Sequence, residues 1–229
     1  MIDLHSHILP GVDDGSSSPK ETADMLKLLV EQGVTTLAAT PHFYPHNDTP
    51  EAFLERRAKA AEKMPSVEGA PELLLGAEVA YFSGIGCSEE IVSLKIGDTK
   101  LLLIEMPFTP WSGRMIDDIC DIPQQLHLTP VLAHIDRYLG KQQLPMYLPQ
   151  LTGCGIHLQC NADSLLSWKT RRKILKLLRN GNIQFLGSDC HNLENRPPRL
   201  DEAIAVIEKH LGTDYIAEFS DYAERLLKL

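Results

Sequence analysis

Seven short apolar runs set the pattern of this 229-residue chain: IDLH, VTTLAAT, ELLLGAEV, KLLLIEM, TPVLAHI, GIHLQCN and IQFLGSD. Each is strand-sized, rich in aliphatic residues, and separated from the next by a longer stretch with helical periodicity. Strands alternating with helices return each strand parallel to the last, so repeated βα units imply one parallel sheet covered by helices. The helical stretches carry their own punctuation. In SPKETADMLKLLVEQG, Ser18 is placed to cap, Pro19 follows it, and Gly33 marks the stop. TPEAFLERRAKAAEKM, RMIDDICDIPQQLH (interrupted by Pro123), SWKTRRKILKLLRNG, RLDEAIAVIEKHLG and DYIAEFSDYAERLLKL read likewise. No Gly-, Ser- or Pro-rich linker divides them, and the units are not sequence repeats, so residues 1–229 are read as a single α/β domain.

Six of the seven runs end in, or lead directly into, a residue that can bind a proton or a metal. They are His5 with His7, then His42, Glu78, Glu105, His134, and Asp189 with His191. A strand sends residues i and i+2 to one side, so His5 and His7 share a face while Ser6 looks away. Parallel α/β barrels gather catalytic groups at the C-terminal ends of their strands, where separate chain segments meet at one mouth. A single histidine so placed is usually a packed or surface residue. The same placement on strand after strand argues for shared ligands. His46, His127, His157 and His210 lack it and are read as ordinary residues.

Charge and cysteine usage narrow the function classes. A formal charge of -9, with no overall excess of Lys and Arg, argues against nucleic-acid binding. Five cysteines without a Cys-x-x-Cys pair give no sign of a disulfide framework or a thiolate zinc site, which suits a reducing, cytoplasmic compartment. No signal-peptide pattern opens the sequence, and no apolar run reaches the roughly 18 residues of a membrane span.

The segments DLHSH, TPHF, GAEV, LIEMPF, AHIDRY and GSDCHN followed by RPP resemble, in order and spacing, the motif series of the PHP (polymerase and histidinol phosphatase) superfamily. Within it, HILPGVDDGS and HIDRY are similar to the bacterial tyrosine-protein phosphatases of capsular and exopolysaccharide synthesis. The resemblance implies a distorted (β/α)7 TIM-like barrel and three divalent metal ions. It would put His5, His7 and Asp189 on one ion, with Glu78 bridging to a second that Glu105 and His134 complete. Asp14, His42 and His191 would hold the third. Asp13 is left to turn formation or support of a ligand, and Gly11 and Gly15 give the turn its freedom. The resemblance leans toward manganese or iron, with zinc or magnesium as alternatives; imidazole and carboxylate ligands without thiolate suit such ions.

The chemistry follows from charge. Four carboxylates bring about -4 and three divalent ions about +6, an excess able to bind a phosphate monoester inside an acidic protein. Such ions also lower the pKa of bound water to about 7, so no side-chain nucleophile is needed. Arg137 is a candidate fork for phosphoryl oxygens, and Arg196 a second. By the same resemblance the substrate would be phosphotyrosine on a protein, the tail of a membrane-associated tyrosine kinase governing polysaccharide export. Phe43, Tyr44, Phe108, Trp111 and Tyr138 follow strand ends and are candidates to stack on a phenol ring.

Several rival readings compete. CHNLENR formally matches the Cys-x5-Arg pattern of cysteine-dependent phosphatases, with Cys190 as nucleophile. It lacks the glycines of a phosphate-cradling loop, and alternation turns Cys190 away from a mouth shared by Asp189 and His191. Amidohydrolase barrels also open with His-x-His but often add a carbamylated lysine at a strand end, and no run here ends in Lys. A small-molecule phosphomonoesterase, such as a histidinol phosphatase, and a metal-binding module without turnover remain alternatives. LLSWKTRRK departs from the family pattern by lacking glycines, and the loop after Glu78 is compact; both bear on partner choice more than on chemistry.

Overall fold

The computed structural model describes residues 1–141 and 143–228. Strand β1 (Ile2–Ser6) leads through a tight loop into α1 (Pro19–Glu31), where the Ser18 hydroxyl accepts from the Glu21 amide at 3.3 Å. Next come β2 (Thr36–Ala39), β3 (His42–Phe43) and α2 (Pro50–Ala61), the last capped by Thr49. β4 (Glu72–Leu75) and β5 (Glu78–Ala80) precede two short 3₁₀ turns, then β6 (Leu101–Glu105) and α3 (Gly113–Gln125). β7 (Thr129–Leu132), α4 (Gln143–Gly153), β8 (His157–Asn161) and α5 (Asp163–Leu166) follow. The chain closes with α6 (Arg171–Arg179), β9 (Phe185–Gly187), α7 (Leu200–Leu211) and α8 (Thr213–Leu227).

Every strand pairing is parallel, as the βα alternation predicts. The ladders run β1-β2-β4 and β3-β5-β6-β7-β8-β9. The expected run ELLLGAEV is two strands, β4 and β5, with Gly76 and Ala77 between them. β3 is a further piece just beyond β2. The sheet curls until its ends meet: Asp189 N–H donates to the His5 carbonyl at 2.7 Å and His7 N–H to that of Cys190 at 3.0 Å.

Two apolar clusters lie on the two faces of this curled sheet. Outside, Leu37, Leu102, Ile104, Leu132 and Leu158 pack with helix residues such as Leu29, Ile119 and Ile174. Inside, Leu4, Ala38, Leu103, Val131, Ala133 and Phe185 form a floor closed by Ala223 and Leu226 of α8. Each large aliphatic side chain so buried contributes about 1.5–3 kcal/mol.

Three local expectations are corrected. α3 runs unbroken through Pro123, which sits near its end, where the missing N–H forgoes one helical bond. α4 was not foreseen, because LPMYLPQLTG carries two prolines yet forms helix. Cys120 and Cys154 are paired as a disulfide, their Cα atoms 5.4 Å apart. Their separation of 34 residues gave no signal; α3 brings one of them beside the end of α4. Among the described residues no helix is long and apolar enough to cross a membrane.

Candidate metal centre

The mouth lies where the strands end, above the inner floor. On β1 the register against β2 slips by one residue between Asp3 and Ser6. This bulge breaks strict alternation, so Leu4 joins the floor while His5 and His7 both reach the mouth. Ser6 turns away, as expected, and donates to the Ala38 carbonyl at 2.7 Å. Gly187 leaves the room His5 needs, since a Cβ there would stand 2.6 Å from the His5 Cβ and from Gln159 Nε2. Gly11 adopts φ 70° in the PGVDDG turn, whereas Gly15 matters for space, lying against the His7 backbone and Cβ.

All nine expected ligands converge. His5 Nε2 and His7 Nε2 stand 3.1 Å apart; Asp189 Oδ1 is 3.6 and 3.4 Å from them, and Glu78 Oε2 is 3.3 and 3.4 Å away. Across the mouth, His134 Nε2 lies 2.8 Å from Glu78 Oε1 and 3.2 Å from Glu105 Oε1. Asp14 Oδ1 faces His42 Nε2 at 3.5 Å and His191 Nε2 at 3.6 Å. Three donor groups overlap: His5, His7 and Asp189; His7, Asp14, His42 and His191; and His42, Glu78 and Glu105. The first matches the expected trio, the second contains the expected Asp14, His42 and His191, and the third keeps Glu78 and Glu105 but has His42 where His134 was expected, His134 approaching both carboxylates without joining the group. His42 also approaches Glu78, its Nδ1 lying 2.9 Å from Oε2, a link the sequence gave no reason to expect.

Do these residues fit metal ions? Glu78 Oε2, His42 Nδ1 and His191 Nε2 are buried and make no well-aligned hydrogen bond, although the first two lie 2.9 Å apart. Such orphans cost about 1–3 kcal/mol each, and ligation is a standard reason to keep them. Donors about 2.0–2.1 Å from one tetrahedral ion stand about 3.3–3.4 Å apart, close to the spacings around His5, His7 and Asp189. The donor set fits.

The imidazoles are held by their other nitrogen. His7 Nδ1 pairs with Asp13 Oδ2 at 2.6 Å, His5 Nδ1 with Gln159 Oε1 at 3.2 Å, and His191 Nδ1 donates to the Asp189 carbonyl at 2.9 Å. Each therefore presents Nε2 to the mouth, the usual support for a ligating histidine. Asp13 has the supporting role expected of it and also accepts from the His42 and Gly15 amides. Gln159 and Asn161 were missed: Gln159 Oε1 also accepts from the His134 amide at 2.7 Å, and Asn161 Nδ2 donates to Asp189 Oδ2 at 2.7 Å. Their run, GIHLQCN, was the one without a titratable end.

Charge and strain concentrate here. Burial alone would raise Glu78 and Asp189, but the surrounding histidines, His5 foremost, hold both well below the carboxylate range. Burial would likewise lower His134, but Glu105 and Glu78 push it up to about 9. Burial and the charges of His7 and Arg196 push His191 down to about 4. His134 and Asp189 have φ of 32° and 51°, a region costly for residues other than glycine and typical of functional sites.

Both candidate arginines reach the mouth. Arg137 Nη2 lies 2.6 Å and Arg196 Nη2 2.5 Å from Asp189 Oδ2, each side chain about a third exposed. Cys190 turns away into the outer apolar cluster, where burial pushes its thiol up. Of the aromatic candidates, Phe43, Trp111 and Tyr138 are buried. Tyr44 stacks on His42 with ring centroids 5.2 Å apart, and half-exposed Phe108 lies 6.3 Å from His134, nearly parallel to it. Neither His157 nor the exposed His46, His127 and His210 joins the cluster.

A curled parallel sheet whose strand ends focus imidazoles and carboxylates defines a PHP-type metal-site protein. The model of the family described as "Capsular polysaccharide synthesis, CpsB/CapC" matches residues 1–228, and the chain belongs to that family. It is 29% identical to the tyrosine-protein phosphatase YwqE of Bacillus subtilis, covering 100% of this chain and 92% of that protein. It is 30% identical to the tyrosine-protein phosphatase CpsB of Streptococcus pneumoniae, over 99% and 98%. A solved structure from work on YwqE and CpsB, described as unique metal-dependent tyrosine phosphatases, superposes with a TM-score of 0.85 at 29% identity. It covers 100% of this chain and 94% of that one.

Proposed function

We propose that this chain is a metal-dependent protein-tyrosine phosphatase acting in capsular or exopolysaccharide synthesis. The observation that carries the reading is the convergence of His5, His7, Asp14, His42, Glu78, Glu105, His134, Asp189 and His191, with buried donor atoms left unpaired, beneath two arginines. The nine residues would hold three divalent ions, manganese or iron by preference. Divalent ions so placed neutralise phosphoryl oxygens and lower the pKa of water toward neutrality. The chain's own residues do the rest. Asp13, Gln159 and the Asp189 carbonyl fix three imidazoles with Nε2 facing inward. Arg137 and Arg196 each spend one guanidinium nitrogen on Asp189 and keep further N–H groups to receive phosphoryl oxygens. Tyr44 and Phe108 flank the opening, suited to a phenol ring.

Two further parts of the reading concern architecture and setting. Taking β2 with β3, and β4 with β5, as interrupted single strands gives seven positions around a PHP barrel spanning residues 1–229. The substrate would be phosphotyrosine on a membrane-associated tyrosine kinase, met from the cytoplasm; nucleic acid is not a partner. The test is hydrolysis of para-nitrophenyl phosphate and a phosphotyrosine peptide with Mn²⁺, and its loss with chelator. kcat/KM for the peptide should exceed that for histidinol phosphate. Preference for the small monoester overturns the substrate, and no turnover with any metal overturns the enzyme.

A further inference from the structure

Residues 164–188 hold six Lys or Arg and no Asp or Glu, in a chain whose formal charge is -9. Most of those cations lie on α6. At 100° per residue, Arg172, Lys173, Lys176 and Arg179 fall within an arc of about 120°, opposite Ile174, Leu175 and Leu178. The latter three are buried in the outer core, and the four cations are exposed. Arg171 differs, its guanidinium binding the Leu165 and Leu166 carbonyls. The ion pairs that other surface Lys and Arg make lie elsewhere, and among the described residues none includes the stripe. Just ahead of the helix, Trp168 is 80% exposed with the Lys169 ammonium 5.7 Å from its ring centre.

We propose that this face, Trp168 and Lys169 with the α6 stripe, is a docking surface for an anionic phospholipid membrane. Two features choose the occupant. A cationic stripe from a segment without Asp or Glu, on an otherwise acidic protein, favours a negative plane in one orientation, because the rest of the molecule carries net negative charge. An exposed indole beside cations is the side chain that partitions into a headgroup region. The buried side of α6 is committed to the core, so contact is peripheral, by charge and one aromatic anchor, without insertion of the helix. Trp168 follows β8, whose Asn161 touches Asp189, so the anchor sits toward the mouth end of the molecule. The inference does not depend on the phosphatase reading, since binding is measured without turnover.

The experiment is co-sedimentation of the full chain with phosphatidylcholine vesicles, with and without phosphatidylglycerol, at low and high salt. Binding to the phosphatidylglycerol vesicles is expected, weakening with salt, with a blue shift in tryptophan emission that W168F abolishes. Each charge near such a surface is worth about five-fold in partitioning. Replacing Arg172, Lys173, Lys176 and Arg179 together with Gln should therefore lower it at least about a hundred-fold, with helical content and para-nitrophenyl phosphate turnover unchanged. Absence of binding at low salt, or equal binding by the Gln variant, overturns the proposal. Capture by polyglutamate with vesicles ignored also overturns it, and assigns the face to an acidic polypeptide.

Discussion

On β6, Leu103 and Glu105 face the same way, two residues apart, yet one belongs to an apolar floor and the other to a polar mouth. The same step recurs on β9, from Phe185 through Gly187 to Asp189, and on β1, from Leu4 to His5 and His7. Below the step, the inward-facing side chains are apolar and buried. Above it, buried nitrogens and oxygens stand unpaired and two backbones are strained. Each unpaired atom costs about 1–3 kcal/mol, the same size as the gain from one buried aliphatic side chain. The floor thus supplies the stability that lets the mouth hold donors ready for ions.

That division can be broken from above. Glu78 belongs to one donor group and touches histidines of the other two, His5, His7 and His42, as well as His134, so Glu78→Gln removes a charge that borders all three. Turnover of para-nitrophenyl phosphate should fall by more than the roughly 10–100-fold that loss of a supporting residue costs, while urea unfolding still shows a cooperatively folded chain. Retained turnover would deny the mouth its role.

Breaking it from below should do the reverse. Leu103→Ala opens a cavity in the floor and should cost about 2–5 kcal/mol in urea unfolding, with kcat of the folded fraction close to normal. A large drop in kcat at full stability would mean that floor and mouth are not separable.

Support of the ligands lies between these extremes. Asp13→Asn keeps the shape but weakens the partner of His7 Nδ1. Metal affinity, read by titration with Mn²⁺, should fall about 10–100-fold while the chain still folds. Gln159→Leu should act on His5 in the same way.

What the sequence disclosed follows the same line. Strand ends bearing His, Asp or Glu were legible because titratable residues beside apolar runs are costly without a purpose, and the eight residues so read meet at the mouth with Asp14, which only the family resemblance supplied. Gln159 and Asn161 escaped notice because uncharged amides are ordinary on strands; only their contacts with His5, His134 and Asp189 give them meaning. The bulge at His5 was hidden because His-x-His reads as plain alternation, whereas the register slip that lets Leu4 face inward too is a property of the pairing. The Cys120–Cys154 pair and the breaks between β2 and β3 and between β4 and β5 depend equally on what packs against what.

Acidity distinguishes the two regions without mutation. His134, pushed up to about 9 by Glu105 and Glu78 against burial, stabilises the metal-free fold fully below its ordinary pKa of about 6.5. That contribution is lost as pH rises through about 9. With chelator, Tm should fall across this window. With Mn²⁺ the fall should vanish or reverse, because ions bind the deprotonated ligands. An equal fall in both conditions would place the titrating group outside the mouth.

The smallest expected effect tests how far the mouth extends. Phe108 is half exposed and lies nearly parallel to His134 and Tyr138 at the rim, beyond the nine donors and the arginines. Should it meet the substrate, it meets the ring and not the phosphate. Aromatic pairs contribute about 0.5–1.5 kcal/mol beyond area burial, so Phe108→Ala should raise KM for a phosphotyrosine peptide by about two- to twelve-fold. KM for an alkyl phosphate such as glycerol phosphate should stay unchanged, because that substrate has no ring to lose a partner. An equal rise for both would show that Phe108 supports His134 and leaves the ring unread; no rise for either would confine recognition to the phosphate itself.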